Sequence, residues 1–388
     1  MKTHLIVNPL ATVDVMDENG DLISGGPVPG RGMKYLQISA DTQPNLYSLF
    51  QDLSNIGLTN LDIGHDLREG EAELLSEHGI LIDADNVPER PLFACMLNDV
   101  ENSVTLPHSL IVNPTLEFLP FDLTKFRSWI HDKHLSPQLA TAWVTDPETE
   151  MRWGYWLDQK QADQIGRFKP GEAPTDGIDE MTLAKLLSAT ILMPGKGGAE
   201  LDHYADKARE FVKKRYTVID DVIPPAQLRA LRSYYRQYVE QGFMRFGDEF
   251  VSRRFSEHGE HVAYMVLINL IPLMAKIAGL AVQPTYSHSA VYDGGAELDP
   301  HLDREACEFS FSFQLDYLPE PENGISPWPL YLSSRSPNEW SVSPETDNAI
   351  HLSNGSCLAY KGRELVHYRT PLPEGHRSTS LFFHYVPA

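Results

Sequence analysis

Three residues in the second half of the chain combine the types and spacing that metal chemistry requires. His301 and Asp303 are separated by one residue, so on a strand both side chains leave the same face. His367, far downstream, offers a second imidazole. Two imidazoles and one carboxylate from separate segments suit Fe(II) held on one face of its octahedron, leaving three positions for a chelating cosubstrate and O2. The His-x-acid triplet carries little weight alone. About two arise by chance from 15 histidines and 54 acidic residues in 388, and two occur, at His258 and His301. Context separates them: His258 sits in a Glu-rich polar stretch and reads as a solvated loop histidine.

A chelating keto acid needs its far carboxylate held by a cation. Arg377, ten residues beyond His367, is the expected clamp, because a planar guanidinium binds a carboxylate through two parallel hydrogen bonds. Arg369 and Arg363 compete with it, with surface charge as their ordinary role. Arg377, Thr379, Leu381, Phe383 and Tyr385 share parity and are expected to form one row facing a barrel interior. Tyr292 is the expected hydroxyl partner of the same carboxylate, with Tyr286 and Tyr360 as rivals, and Gly294-Gly295 allows a tight turn before the ligand strand. Arg304, Trp328 and Arg335 are candidates for the substrate mouth, although each reads more readily as structural. Trp328, in Ser-Pro-Trp-Pro-Leu, is the one suited to capping the opening. Cys307 reads as a small buried residue and not as a fourth ligand, since a soft thiolate does not suit a site that needs open positions.

The pattern Tyr292…His301-x-Asp303…His367…Arg377 resembles the iron(II)/2-oxoglutarate-dependent dioxygenases, in their prolyl-4-hydroxylase-like branch. The lead-in Arg215-Tyr-Thr-Val-Ile-Asp-Asp-Val-Ile-Pro-Pro, followed by an amphipathic helix, is similar to the approach to that family's double-stranded β-helix. The resemblance covers residues 205–388 and nothing before them. It implies that His301, Asp303 and His367 bind iron and that Arg377 and Tyr292 bind 2-oxoglutarate. It also implies oxidative decarboxylation of 2-oxoglutarate by O2 to succinate and CO2, coupled to hydroxylation of an unactivated C–H bond. Arg377 stands where collagen-type members carry Lys, so a collagen-like substrate is not implied. Asp303 occupies the place that halogenating members give to a small residue, so halogenation is not expected, and the Arg-x-Ser signature of plant-type members is absent.

The elements that must position these residues read as α+β. From Tyr204 to Phe243 the pattern predicts helix, short strand, then a second helix with Leu228, Leu231, Tyr235 and Tyr238 on one face. Phe309, Phe311, Phe313 and Leu315 alternate with Ser310, Ser312, Gln314 and Asp316, which predicts a strand with one buried face. Further short strands follow to His384. The expected C-terminal domain is a double-stranded β-helix of jelly-roll or cupin-like type with flanking helices, over 205–388. Before it lies an α/β region in which Leu5-Ile-Val-Asn-Pro9 recurs as Leu110-Ile-Val-Asn-Pro114, and Leu74-Leu-Ser76 as Leu186-Leu-Ser188. Residues 1–103 and 104–194 therefore read as two accessory modules, the second a candidate repeat of the first, with one irregular domain as the competing reading. Lys169–Gly177 and Gly195–Gly198 read as linkers, the second as the domain boundary.

Composition bounds the partners. Hydrophobic residues at 42% and charged residues at 22% describe an ordinary globular chain. With 32 Lys and Arg against 54 Asp and Glu, the net charge is −22, which repels phosphate backbones and anionic lipid, so neither nucleic acid nor a membrane is an expected partner. Cys95, Cys307 and Cys357 form no CxxC pair, which fits a reducing compartment. The opening residues hold only a three-residue apolar run before Asn8-Pro9, so no signal-peptide core is read there and a cytoplasmic location is expected. Val262–Val282 is mostly apolar but contains Asn269, Pro272 and Lys276, and reads as a buried core helix. The expected activity is hydroxylation of a peptide or protein side chain or a carrier-bound intermediate, with the first 200 residues docking substrate or partner. The alternatives are a non-catalytic 2-oxoglutarate- or metal-sensing scaffold, or a hydroxylase of a free amino acid or small natural product.

Overall fold

The computed structural model describes residues 4–15, 20–102, 104–119, 139–195, 204–248, 250–333, 335 and 342–388. Residues 196–198 of the expected second linker lie outside this set. The chain divides into two compact units, residues 1–91 with 235–256, and residues 92–234 with 257–388.

In the first unit, Thr12–Val15, Leu22–Val28 and Gly32–Ile38 form an antiparallel meander, and Leu5–Val7 pairs with Leu81–Asp83. The helices Pro44–Ile56 and Glu71–Glu77 bury Leu46, Phe50, Leu53 and Leu75 with Leu22, Ile38 and Ile80 in one core. Asn8 is fully buried. Its amide donates to the Pro27 and Gly79 carbonyls at 3.1 and 2.8 Å, and its backbone N–H to Ile80 O at 2.9 Å.

The second unit holds two kinds of structure. Residues 92–194 carry a three-stranded antiparallel sheet (Glu117–Leu119, Ala140–Thr145, Arg152–Leu157), the helices Gln159–Ile165 and Glu180–Ser188, and the pair Leu110–Val112 with Leu192–Pro194. Here Asn113 is buried, its amide donating to the Thr145 and Thr190 carbonyls at 3.0 and 2.8 Å and its N–H to Ile191 O at 2.9 Å.

From residue 204 the expected helix, strand and helix are present as Ala205–Lys214, β1 (Tyr216–Ile219) and Pro225–Glu240. Eight strands follow the next helices: β2 (Val282–Asp293), β3 (Leu298–His301), β4 (Phe309–Leu318), β5 (Leu330–Ser333), β6 (Asn348–Ile350), β7 (Cys357–Tyr360), β8 (Val366–Arg369) and β9 (Arg377–Pro387). Within this unit β1-β7-β4-β9-β2 form one antiparallel sheet and β3-β8-β5-β6 a second. The two pack face to face, since Leu330, Leu332 and Ile350 of the smaller sheet share an apolar cluster with Leu358, Tyr360, Tyr216 and Val218 of the larger.

The alternation in β4 is real, but both of its faces are buried. Phe309, Phe311 and Phe313 form one row, with Phe309 against Phe211 of the helix Ala205–Lys214. Burying each such ring contributes about 1.5–3 kcal/mol. The other row, Ser310, Ser312 and Gln314, faces the smaller sheet, so small polar side chains line the space between the sheets. The apolar stretch 262–282 begins with two short helices, His261–Asn269 and Ile271–Ala278, bent by 45° where Pro272 opens the second. No single helix among the described residues is long and apolar enough to cross a membrane.

Candidate metal and carboxylate site

His301 ends β3 and lies directly opposite His367 in β8, with the imidazole centroids 4.2 Å apart. Their Nδ1 atoms face carbonyls two residues upstream, Asp299 O at 2.8 Å and Leu365 O at 3.0 Å. A carbonyl only accepts, so both Nδ1 atoms carry the proton and both Nε2 lone pairs are left for a ligand. The Asp303 backbone N–H donates to Gly362 O at 3.0 Å, and its Oδ1 stands 3.5 Å from His367 Nε2. The ligand atoms of His301, Asp303 and His367 all lie within 4.8 Å of one another, close enough to share one divalent cation. Burial would raise the Asp303 pKa, but His367, His384 and His301 hold it down to about 2, so the carboxylate is ionised at neutral pH. Tyr360 packs edge-on against His367, and burial keeps its phenol neutral.

Gly362 is a site residue that no motif or spacing singles out. A Cβ there would lie 1.8 Å from Asp303 Oδ2, so the carboxylate occupies the space a side chain would take.

The buried guanidinium on the His367 strand is Arg369, whereas Arg377 lies on another strand and is 40% exposed. Arg369 follows His367 by two residues on β8 and so shares its face. It is 3% exposed, donates from Nη1 to Trp328 O at 2.9 Å, and lies 4.4 Å over the Trp328 ring. Its Nε has no partner. Burial lowers its pKa, against the raising influence of Tyr292, Tyr360 and Tyr317 nearby. Tyr292 is buried, with its ring edge-on to Trp328 and the centroids 5.1 Å apart. The hydroxyls of Ser312 and Ser380 are likewise buried without partners. Orphaned buried donors are costly, and an anionic ligand would satisfy them.

Arg377 pairs instead with Asp293 at 2.7 Å, and its side chain is 40% exposed. The register explains the difference. Asp293 stands opposite Arg377 and Tyr292 opposite Ser378, so Arg377 leaves the sheet on the face away from Tyr292. The row predicted to face the interior is reversed: Tyr385 donates to Leu267 O in the helix His261–Asn269, while Ser378, Ser380, Phe382 and His384 face the space between the sheets. Helices demand the bulky apolar row, which leaves the small polar one for the interior.

The remaining candidates other than Arg304 have structural partners. Trp328 is buried, donates from Nε1 to Thr370 O and forms the wall behind Arg369, so it does not cap an opening. Arg335 is tied to Asp347 and Ser343, Arg363 to Glu308, and Arg304 is exposed. His258 is exposed but stacked on His288 with centroids 4.2 Å apart, an ordered pairing its polar surroundings did not signal.

No protein-family model matches the chain, and no curated protein matches it. Solved structures do match. A Pseudomonas putida prolyl-4-hydroxylase is 14% identical over 47% of this chain and 98% of its own, with a TM-score of 0.38. HygX from Streptomyces hygroscopicus, with nickel and 2-oxoglutarate bound, is 14% identical over 47% of this chain and 87% of its own, at 0.37. A prolyl hydroxylase from Trichoplax adhaerens, in complex with a hypoxia-inducible-factor oxygen degradation domain peptide fragment, is 13% identical over 46% and 87%, also at 0.37.

Proposed function

We propose that the chain is an Fe(II)/2-oxoglutarate-dependent dioxygenase that hydroxylates an unactivated C–H bond. The observation that carries this reading is the pairing of two features across one interior. A two-imidazole, one-carboxylate group has both Nδ1 atoms locked, and a buried guanidinium two residues along the same strand has an Nε without a hydrogen-bond partner among the described residues. The donor set fits Fe(II), and Arg369 with Tyr292 and the unpartnered Ser312 and Ser380 hydroxyls fits the far carboxylate of a dicarboxylic keto acid. His301, Asp303 and His367 hold the metal in this reading, and Arg369 replaces Arg377 as the clamp. When bound, the ferrous ion supplies O2 activation coupled to oxidative decarboxylation of 2-oxoglutarate. The protein orients the cosubstrate, keeps water from the reacting face and holds Asp303 ionised. In fold terms the two facing antiparallel sheets correspond to a double-stranded β-helix.

Residues 1–103 and 104–194 are, in the same proposal, two copies of one α/β module that docks a peptide or carrier-bound substrate. The matching bonds of Asn8 and Asn113 support the duplication: each donates through its amide to two carbonyls and through its N–H to a buried isoleucine's carbonyl.

The test is succinate production. Protein loaded with Fe(II) without oxygen, then given O2 and 2-oxoglutarate, is expected to form succinate, and His301→Ala to form none. Absence of succinate from the parent protein rejects the reading in favour of a sensor that binds without turnover.

A further inference from the structure

Among the described residues a second group of ligand atoms lies beside the first. Asp303, Cys307 and His384 each offer one atom, all within 4.8 Å of one another. Cys307 and His384 are buried, at 1% and 6% exposure, and neither belongs to the proposed iron set. We propose that Asp303, Cys307 and His384 form a second metal site, for a zinc-class divalent cation, that shares the Asp303 carboxylate with the first.

The arrangement of Asp303 argues for this. Its Oδ1 faces His367 at 3.5 Å, while its Oδ2 accepts from Ser310 Oγ at 3.1 Å, on the side of His384. A carboxylate with one oxygen turned to each group has the form of a bridging ligand. Ser310 fixes the imidazole as well. Its single proton goes to Asp303, so at 2.9 Å it accepts from His384 Nδ1–H, which leaves the lone pair on His384 Nε2. The same tautomer is set at His301 and His367 by carbonyls.

The Cys307 thiol is 3.1 Å from the Tyr286 hydroxyl. On metal binding the S–H bond breaks, the proton leaves to solvent and a metal–sulfur bond forms with no change of oxidation state. Tyr286 then donates its hydroxyl to the thiolate. A set of one sulfur, one nitrogen and one oxygen donor is softer than two imidazoles and a carboxylate, and so selects zinc over iron or magnesium. Cys307, which by sequence reads as inert packing, is the residue that separates the two sites chemically.

Cobalt(II) is a direct probe, because sulfur bound to it gives a near-ultraviolet charge-transfer band. Titrating the full metal-free chain anaerobically is expected to show two equivalents bound and the sulfur-to-cobalt band. Cys307→Ser is expected to lose the band and one equivalent, and His384→Gln to weaken both; comparison of metal-free melting temperatures shows that these variants fold. His301→Ala is expected to lose the other equivalent and keep the band. No band in the parent, or a band that survives Cys307→Ser, overturns the proposal. Should Cys307→Ser remove the band while His301→Ala binds as many ions as the parent, the iron-site reading fails and this one stands.

Discussion

The guanidinium of Arg369 lies 4.4 Å over the ring of Trp328 and donates to that residue's carbonyl, so one tryptophan both covers the charge and orients it. A cation so deeply buried is expensive to keep without an anion, and Nε remains unpartnered. Cation–π contact offsets part of the cost. In the proposed reading, the carboxylate of the cosubstrate offsets the rest.

Arg369→Gln is therefore expected to raise the KM for 2-oxoglutarate roughly 10- to 100-fold, the loss of a charge-assisted pair being worth about 1.5–3 kcal/mol. Succinate release against cosubstrate concentration measures it. An unchanged KM removes Arg369 from the site.

Arg377→Gln is the complementary experiment. Its partner Asp293 is reached on the other face of β9, in a pair 40% and 26% exposed. Such pairs are worth at most about 1 kcal/mol. The variant should leave the KM for 2-oxoglutarate in place and lower the melting temperature only slightly. A large rise in KM with Arg377→Gln would restore it as the clamp.

The contrast between these two arginines shows how far the sequence could be read. His301 and Asp303 were legible as a pair because one intervening residue fixes their face on a strand. Arg369 was legible by the same rule from His367, yet a count of ten residues pointed to Arg377. That count crosses the turn between β8 and β9, and a turn does not preserve parity. The β4 alternation distinguished two faces but not their surroundings: helices cover the phenylalanines and the second sheet covers the serines. Gly362 was invisible, because its role is the space it leaves for a side chain 59 positions away in the chain. The stretch from 262 read as one helix because composition showed its apolarity, while the bend at Pro272 follows from a ring that suits only a helix's first turn.

Gly362→Ala tests that space directly. Gly362 does not adopt a left-handed backbone, so alanine brings no conformational strain and acts through its methyl group alone. The methyl would meet Asp303 Oδ2 and displace the carboxylate from His367. Disturbing the surroundings that hold a metal ligand in place costs roughly 10- to 100-fold in metal affinity. Calorimetric titration with Mn2+ is expected to show that loss while the metal-free melting temperature stays near the parent's. Unaltered affinity would mean that Asp303 has another resting place.

Asn8 and Asn113 hold the fourth position of the two repeated pentapeptides. Each amide bridges two backbone carbonyls, buried ones for Asn8 and part-buried ones for Asn113, and each Oδ1 accepts from the N–H two residues on, Leu10 for Asn8 and Thr115 for Asn113. Replacing either with alanine strands those groups, at about 1–3 kcal/mol for each buried group left unpaired. Asn8→Ala and Asn113→Ala should therefore destabilise by similar amounts, read as comparable falls in denaturant midpoint with unchanged slope. Similar costs are the physical content of a duplicated module, because they require the two side chains to carry the same bonds in solution. If Asn8→Ala is severe and Asn113→Ala is neutral, the shared pentapeptide is coincidence, and residues 104–194 must be explained without reference to residues 1–103.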